Sequence, residues 1–417
     1  MLTRKPKTRA LCWAIGSPHC RVRVHWWNTR RIAKGYPGSP DGLEFGYRAD
    51  RMRNSGFGRG RAGSGTMDFY DFFSGCGGTS QGMREAGLRV RLGIDVDPDA
   101  AETYRTNFPR ADFIRQDIRR LKVKDLAPHV SDGEARPMLF GACAPCQPFS
   151  KQGRSQKRKD GRKDLLREFH RFVRFYRPEY VFIENVPGLQ SVDDKRGPFA
   201  KFLTLLTKLG YWHCHRVIYA CHYGVPQRRR RLVLIASRLG PISFPEPTHG
   251  PTAKKKSLPT VWEAIGHLPR IKAGQSHPKI LNHRAACLSD LNLKRIKATK
   301  SGGTRTRWPA RLVLECHENH SGHTDVYGRM AKNLPSAALT TRCISLSNGR
   351  FGHPTQHRAI SVREAACLQT FPMDFEFHGN LNSMSRQVGN AVPVAMARVF
   401  GKAIRRHYIR HRKKASH

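Results

Sequence analysis

The sequence predicts an α/β fold: a doubly wound, mostly parallel sheet with a smaller, irregular domain attached. Three observations carry this expectation. A strand, a glycine turn and a helix follow one another from Asp68 to Gly87, the opening unit of a nucleotide-binding sheet. An acid, Asp95, closes the next apolar run about 20 residues after the glycine turn, where such sheets hold a ribose hydroxyl pair. Short apolar runs at 69–73, 90–94, 113–114, 138–140, 180–183 and 232–236 then alternate with helical stretches, as expected for parallel strands buried on both faces.

Taken in order, the first 66 residues hold 14 Lys or Arg against three acids, Asp41, Glu44 and Asp50, with many glycines and no sustained periodicity. They read as a basic extension without fixed structure, with Met67 as the natural start. From Asp68 the grammar is regular. Residues 69–73 form an aromatic strand, Ser74 to Gly78 a tight turn, and Thr79 to Ala86 a helix closed by Gly87. Glycines let the backbone approach a ligand, and the helix start offers free N–H groups. A packing turn accounts for the glycines equally well, and a dinucleotide fits the same pattern. A third strand at 113–114 delivers Gln116-Asp117-Ile118, a candidate adenine contact.

The run 138–140 ends in G-A-C-A-P-C-Q-P-F-S, residues 141–150. Pro145 and Pro148 force an extended, irregular turn, which presents the Cys146 thiol at the mouth of a strand. Cys143 and Cys146 have the spacing of a redox pair or half a zinc site. The prolines oppose the helix a redox pair opens, and no second C-x-x-C exists. Residues 150–164 are basic and glycine-hinged, a lid suited to phosphates rather than a plain solvated loop. Residues 165–176 form a helix with Leu165, Phe169, Phe172 and Tyr176 on one face, stopped by Pro178.

The strand 180–183 runs into Glu184-Asn185-Val186, which aims a carboxylate at the ligand crevice, able to give a proton or hydrogen bond to a ring nitrogen. A core helix at 199–209 follows, ended by Gly210. Four arginines, 228–231, precede the strand 232–236 and read as a phosphate patch. Beyond Ser237 regularity fades: 241–268 is rich in Pro and Lys with a short helix near 261–265, and 270–319 is basic with weak periodicity. His317-Glu318-Asn319-His320 is one residue short of a zinc-protease spacing, so no metal site is expected. Ser361 and Glu364 make a capping box. Residues 387–393 open a helix from Val394 to about His407, with a frayed basic tail from Arg405.

The net charge, 75 − 31 = +44, points to a polyanionic partner, most simply nucleic acid. Eleven scattered cysteines suit a reducing compartment rather than a disulfide framework. No run of about 18 apolar residues exists to span a membrane.

P-C-Q-P-F-S at 145–150, D-F-F-S-G-C-G-G at 71–78, Glu184-Asn185-Val186, Q-R-R-R-R at 227–231, the capped helix after Ser361 and Gln387-Val388-Gly389-Asn390 together resemble, in the same order, the motifs of the cytosine-5 DNA methyltransferases. The resemblance covers Asp68 to about Ile404 and implies a Rossmann-like S-adenosylmethionine-dependent enzyme acting on duplex DNA. It implies Cys146, Glu184, Arg229 and Arg231 as the catalytic set. Cys146 attacks carbon 6 of a flipped-out cytosine and Glu184 engages ring nitrogen 3, while Arg229 and Arg231 lie beside the base and its phosphate. It places Phe73, Gly75, Gly77, Asp95, Asp117, Ile118, Pro145 and Asn390 against S-adenosylmethionine. The family usually has Glu where this chain has Asp95; the shorter acid still accepts from a ribose hydroxyl.

The expected organisation is a basic extension at 1–66, a catalytic domain at 67–238, a target-recognition domain with its scaffold at 239–380, a return segment at 381–411 and a basic tail at 412–417. A monomeric, cytoplasmic bacterial modification enzyme with a cognate restriction endonuclease is the partner expectation. A tRNA cytosine-5 methyltransferase shares the catalytic motifs and explains the charge as well. A DNA-binding protein with a decayed active site is disfavoured, because Cys146, Glu184 and both arginines are present.

Overall fold

The computed structural model describes residues 66–130, 136–144, 165–191, 197–251, 255–318 and 324–415, all within the unit Arg61–His417. The extension 1–65, Pro145, Cys146 and the proposed lid 150–164 lie outside the described residues. The chain opens with β1 (Asp68–Phe72), α1 (Gly78–Glu85), β2 (Arg89–Asp95), α2 (Pro98–Asn107), β3 (Asp112–Arg115) and a short α3 (Ala127–Val130). It continues with β4 (Met138–Ala142), α4 (Leu165–Tyr176), β5 (Tyr180–Asn185), α5 (Pro198–Lys208), β6 (Trp212–Tyr219) and β7 (Arg230–Ser237). Beyond lie α6 (Val261–Ile265), α7 (Asp290–Ala298), α8 (Glu315–Glu318), α9 (Val362–Leu368), α10 (Leu381–Asn390) and α11 (Val394–Ala415).

The seven strands form one sheet in the order β3-β2-β1-β4-β5-β7-β6. The first five pair in parallel, and β7 runs antiparallel to both β5 and β6. The chain order turns back between β1 and β4, so their carboxyl ends diverge into a crevice, the place where doubly wound sheets bind ligands. Both faces are covered, which is why the strands read as continuous apolar runs. On β5, Tyr180 and Phe182 enter one core and Val181 and Ile183 the other. Helices α1 and α11 supply Met83, Ala397, Phe400 and Ile404 to the first, and α4 and α5 supply Phe169, Phe172, Phe202 and Leu206 to the second. Phe72 sits 5.0–5.2 Å, centroid to centroid, from Phe140, Phe169 and Phe172. Each such ring contributes roughly 1.5–3 kcal/mol on burial.

Past Ser237 the backbone is mostly loops, fixed by buried arginines instead of ladders. The Arg329 guanidinium donates to the carbonyls of Ile296, Thr299 and His353 at 2.6–2.7 Å. Arg358 grips Glu364 with two 2.7 Å bonds. Glu364 Oε2 also accepts from Ser361 N, closing the expected capping box of α9. Ile296, Trp308, Leu312, Tyr327, Leu346 and Ala359 form a small core of their own.

The C-terminal tail corrects the sequence reading. No fraying begins at Arg405: α11 continues to Ala415. Ile404 is fully buried, Tyr408 packs on the same core, and His407 bridges the Tyr180 hydroxyl (2.8 Å) and the Pro241 carbonyl (3.0 Å). Among the described residues no helix is long and apolar enough to cross a membrane.

Candidate active site

The crevice opens at the carboxyl ends of β1, β2, β4 and β5, and its volume is about 360 Å³. Its floor is the turn after β1. Phe73 stands at φ 59° and Gly75 at φ 51°, and both line the crevice. A bulky residue held in the left-handed region stores strain that the surrounding structure must impose. Gly77 caps α1 at φ 95° with no side-chain bond to the first turn, so that turn presents uncapped N–H groups. A Cβ at Gly77 would lie 2.5 Å from the Phe108 ring, so only glycine fits.

Asp95, at the end of β2, holds the turn in place. Its Oδ2 accepts from Gly75 N (2.8 Å) and its Oδ1 from Val96 N (2.7 Å) and Asp97 N (3.0 Å). Loss of water pushes the Asp95 carboxyl up, and the three backbone donors oppose the shift. Asp97 caps α2 through Asp99 N and Ala100 N and receives Arg386 of α10 at 2.8 Å. That ion pair ties the end of β2 to the return segment across the crevice wall.

The far wall comes from β5 and β7. Strand alternation leaves Arg228 and Arg230 exposed while Arg229 and Arg231 turn inward. Arg231 Nε stands 2.9 Å from Glu184 Oε1, a close ion pair whose angle leaves that buried oxygen without a well-formed hydrogen bond among the described residues. Arg229, 3 % exposed, donates Nη1 to the carbonyls of Leu339 (3.0 Å) and Gly389 (3.1 Å). Burial, reinforced by the Arg231 charge, pulls its guanidinium down to about 9. Asn185 donates to the carbonyl of Ala144, two residues before Cys146.

Cys143 also lines the crevice. Its thiol lies 3.4 Å from Thr79 Oγ1, and burial pushes it well above the usual thiol range, with Glu184 adding to the shift. Such a thiol is a poor source of thiolate.

The structure therefore brings Phe73, Gly75, Asp95, Asn390, Glu184, Arg229 and Arg231 to one crevice. It does not bring Gly77, Asp117 or Ile118 to the wall. Gly77 is spent on the turn, Asp117 pairs with Arg119 and Ile118 is buried in the core. Cys146 and Pro145 fall outside the described residues. Arg386 and Thr79 escaped the sequence reading as crevice residues, and Cys143 entered it only as a redox or zinc partner for Cys146. Arg386 stands directly before the Gln387 motif, so its position offered a signal; the Thr79–Cys143 contact offered none.

The profile of the C-5 cytosine-specific DNA methylases matches residues 67–406. The chain belongs to this family. The methylase is 41 % identical over 344 residues to the Type II methylase M.HgiDII of Herpetosiphon aurantiacus, covering 81 % of this chain and 94 % of that one. It is 34 % identical over 342 residues to the Type II methyltransferase M1.HphI of Haemophilus parahaemolyticus, covering 81 % and 87 %. Its fold matches an E. coli prophage protein described as a DNA modification methyltransferase (TM-score 0.64, 23 % identity, 82 % of this chain and 99 % of that one). It also matches Spodoptera frugiperda DNMT2 (TM-score 0.55, 16 % identity, 81 % and 99 %). The methylase is thus a DNA (cytosine-5)-methyltransferase, built on the doubly wound sheet expected of it.

Proposed function

We propose that the enzyme methylates carbon 5 of a flipped-out cytosine within a specific duplex sequence, through a covalent bond to Cys146, as the modification half of a restriction–modification pair. The observation that carries this reading is the placing of Glu184, paired with Arg231, in the same crevice as the Asp95-braced glycine turn. A group that engages the base and a turn that receives a nucleotide thus share one cavity. Its Type II relatives support the modification role, which brings a cognate restriction endonuclease as partner. Residues 239–380 are proposed to read the bases around the target.

The crevice fits S-adenosylmethionine. The uncapped first turn of α1 suits its carboxylate, Phe73 and the backbone at Gly75 suit its methionine arm, and Asp95 suits its ribose. Asp117, Ile118 and Pro145 stay proposed as contacts from the family motifs alone. Bound there, the cofactor supplies an electrophilic methyl group. The chain's own residues do the rest. The target base leaves the stack, because carbons 5 and 6 are out of reach inside a duplex. Cys146, as thiolate, adds to carbon 6. Glu184 gives a proton or hydrogen bond to nitrogen 3, which meets the charge pushed into the ring. Arg231 holds the Glu184 carboxyl, and Arg229 fixes the wall between β7 and α10. After methyl transfer to carbon 5, its proton passes to water, the freed electron pair re-forms the 5,6 double bond, and the bond from carbon 6 to Cys146 breaks to release the thiolate.

Duplexes carrying 5-fluorocytosine at the target test this directly, since fluorine takes the place of the departing proton and cannot leave as a cation. The target itself comes from bisulfite sequencing of DNA from cells expressing the chain. The expected result is a protein–DNA adduct that needs S-adenosylmethionine and survives a denaturing gel. Cys146→Ser should abolish it, and Cys143→Ser should leave it intact. An adduct that persists without Cys146 overturns the assignment. Faster methylation of tRNA than of duplex DNA would favour the tRNA reading.

A further inference from the structure

Seven Lys or Arg and no acid occupy residues 402–414, the second half of α11. Their arrangement matters more than their number. Lys402, Arg406, Arg410 and Lys414 recur every fourth residue, and all four are exposed. Positions four apart lie above one another on a helix, so these side chains form one row about 18 Å long, with about 6 Å between steps. The preceding member of the row, Arg398, is paired with Glu85 at 3.0 Å. No described carboxylate pairs with Lys402, Arg406, Arg410 or Lys414.

The row points away from the active crevice. Helix α11 begins at Val394, next to Ala391 and Val392 of the crevice wall, and is about 33 Å long. His407, midway along the row, binds the Tyr180 hydroxyl, and Tyr180 begins β5 while Glu184 lies one residue before its end. The row therefore lies toward the amino-terminal end of that strand, and the crevice at its carboxyl end. A basic amphipathic helix also suits an anionic bilayer, but here the apolar face is already used. Ala397, Phe400 and Ile404 are buried in the sheet's core.

We propose that the Lys402–Lys414 row is a second duplex-DNA contact, which grips the phosphate backbone of DNA lying outside the target cleft. Duplex DNA carries one negative charge per about 1.7 Å of axis, so a row of cations that rises about 18 Å while winding about a third of a turn around the helix meets several phosphates at once. Such a contact reads no sequence. It holds the enzyme on long DNA between target sites.

The test uses the full chain with Lys402→Gln, Arg406→Gln, Arg410→Gln and Lys414→Gln combined. Binding to a long duplex of arbitrary sequence is titrated with salt, and methylation is followed on a short duplex that only spans the target. Each phosphate contact contributes about 0.9 to the logarithmic salt slope, so the slope should fall by roughly 3–4. The variant should also methylate fewer sites per encounter on multi-site DNA, with its turnover on the saturating short duplex unchanged. An unchanged slope overturns the proposal. So does an equal loss of kcat/KM on the short duplex, which would put the row inside the target footprint. Loss of binding to structured RNA or to anionic vesicles with duplex binding intact overturns it as well. If the fourfold variant melts early, Lys402→Gln with Arg410→Gln serves instead, with an expected fall of about 2.

Discussion

Asp71 shows how one buried residue of β1 sets a pH response. It is fully buried on β1. Its Oδ2 accepts from Ser80 Oγ (2.7 Å), which lies 2.8 Å from the Tyr104 hydroxyl, while Oδ1 has no hydrogen-bond partner among the described residues. Burial raises this carboxyl from its ordinary 3.8 to about 7, against the Ser80 bond that favours the charge. Because the folded value lies above the unfolded one, the stabilising contribution is complete below pH 4 and is lost as pH rises toward 7. Asp71→Asn keeps an acceptor for Ser80 and removes the titration. The variant should therefore gain stability over the wild type as pH rises from 4.5 to 8, reaching a few kcal/mol in order of magnitude. Melting curves across that range decide it; an offset independent of pH would show that Asp71 does not titrate as its burial implies.

At the scale of elements, α10 is placed by contact rather than by propensity. Alanine is the better helix former by about 1 kcal/mol, so Gly389 within this helix costs stability locally. A Cβ there would sit 2.0 Å from the Thr340 carbonyl oxygen, and the Gly389 carbonyl is the one that Arg229 holds. The steric term should win. Gly389→Ala is expected to destabilise by about 1–3 kcal/mol, the range for overpacking, and to raise KM for S-adenosylmethionine because Asn390 lines the crevice next door. A more stable variant in chemical denaturation would contradict the contact. Local signals made much of the rest legible: the capping box of α9, the apolar face of α4 and the acid closing β2 are all patterns within a few residues. Strand β6 was not legible, because an edge strand reading W-H-C-H-R-V-I-Y lacks the apolar run that marks its neighbours. Arg329, Arg358 and Arg363 look like surface charge in sequence, yet each is buried. Long-range carbonyl partners, Ile296 for Arg329, Ile271 for Arg358 and Leu281 for Arg363, which no local pattern encodes, turn them into the supports of the region after Ser237.

For the molecule as a whole, the charge divides unevenly along the chain. Residues 1–66 carry 14 − 3 = +11 of the total +44, leaving +33 on 67–417. The family match begins at residue 67. The bonds that start the sheet begin there too: Met67 O accepts from Arg89 N, Asp68 N donates to Pro137 O, and Arg89 grips the Asp68 carboxylate with two 2.6 Å bonds. Met67 itself is fully buried. A chain beginning at Met67 keeps each of these interactions and loses a net charge of +11. It should fold and melt as the full chain does and methylate the same sites. Non-specific DNA binding should weaken, with a shallower salt slope, because fewer phosphates are neutralised. Bisulfite sequencing of DNA modified by the two chains, alongside their melting curves, makes the comparison. An insoluble shortened chain, or one with a different site preference, would make the basic extension part of the fold or of the reading head. An unchanged salt slope would instead show that its charges do not touch DNA, and would leave the phosphate grip to the +33 carried by residues 67–417.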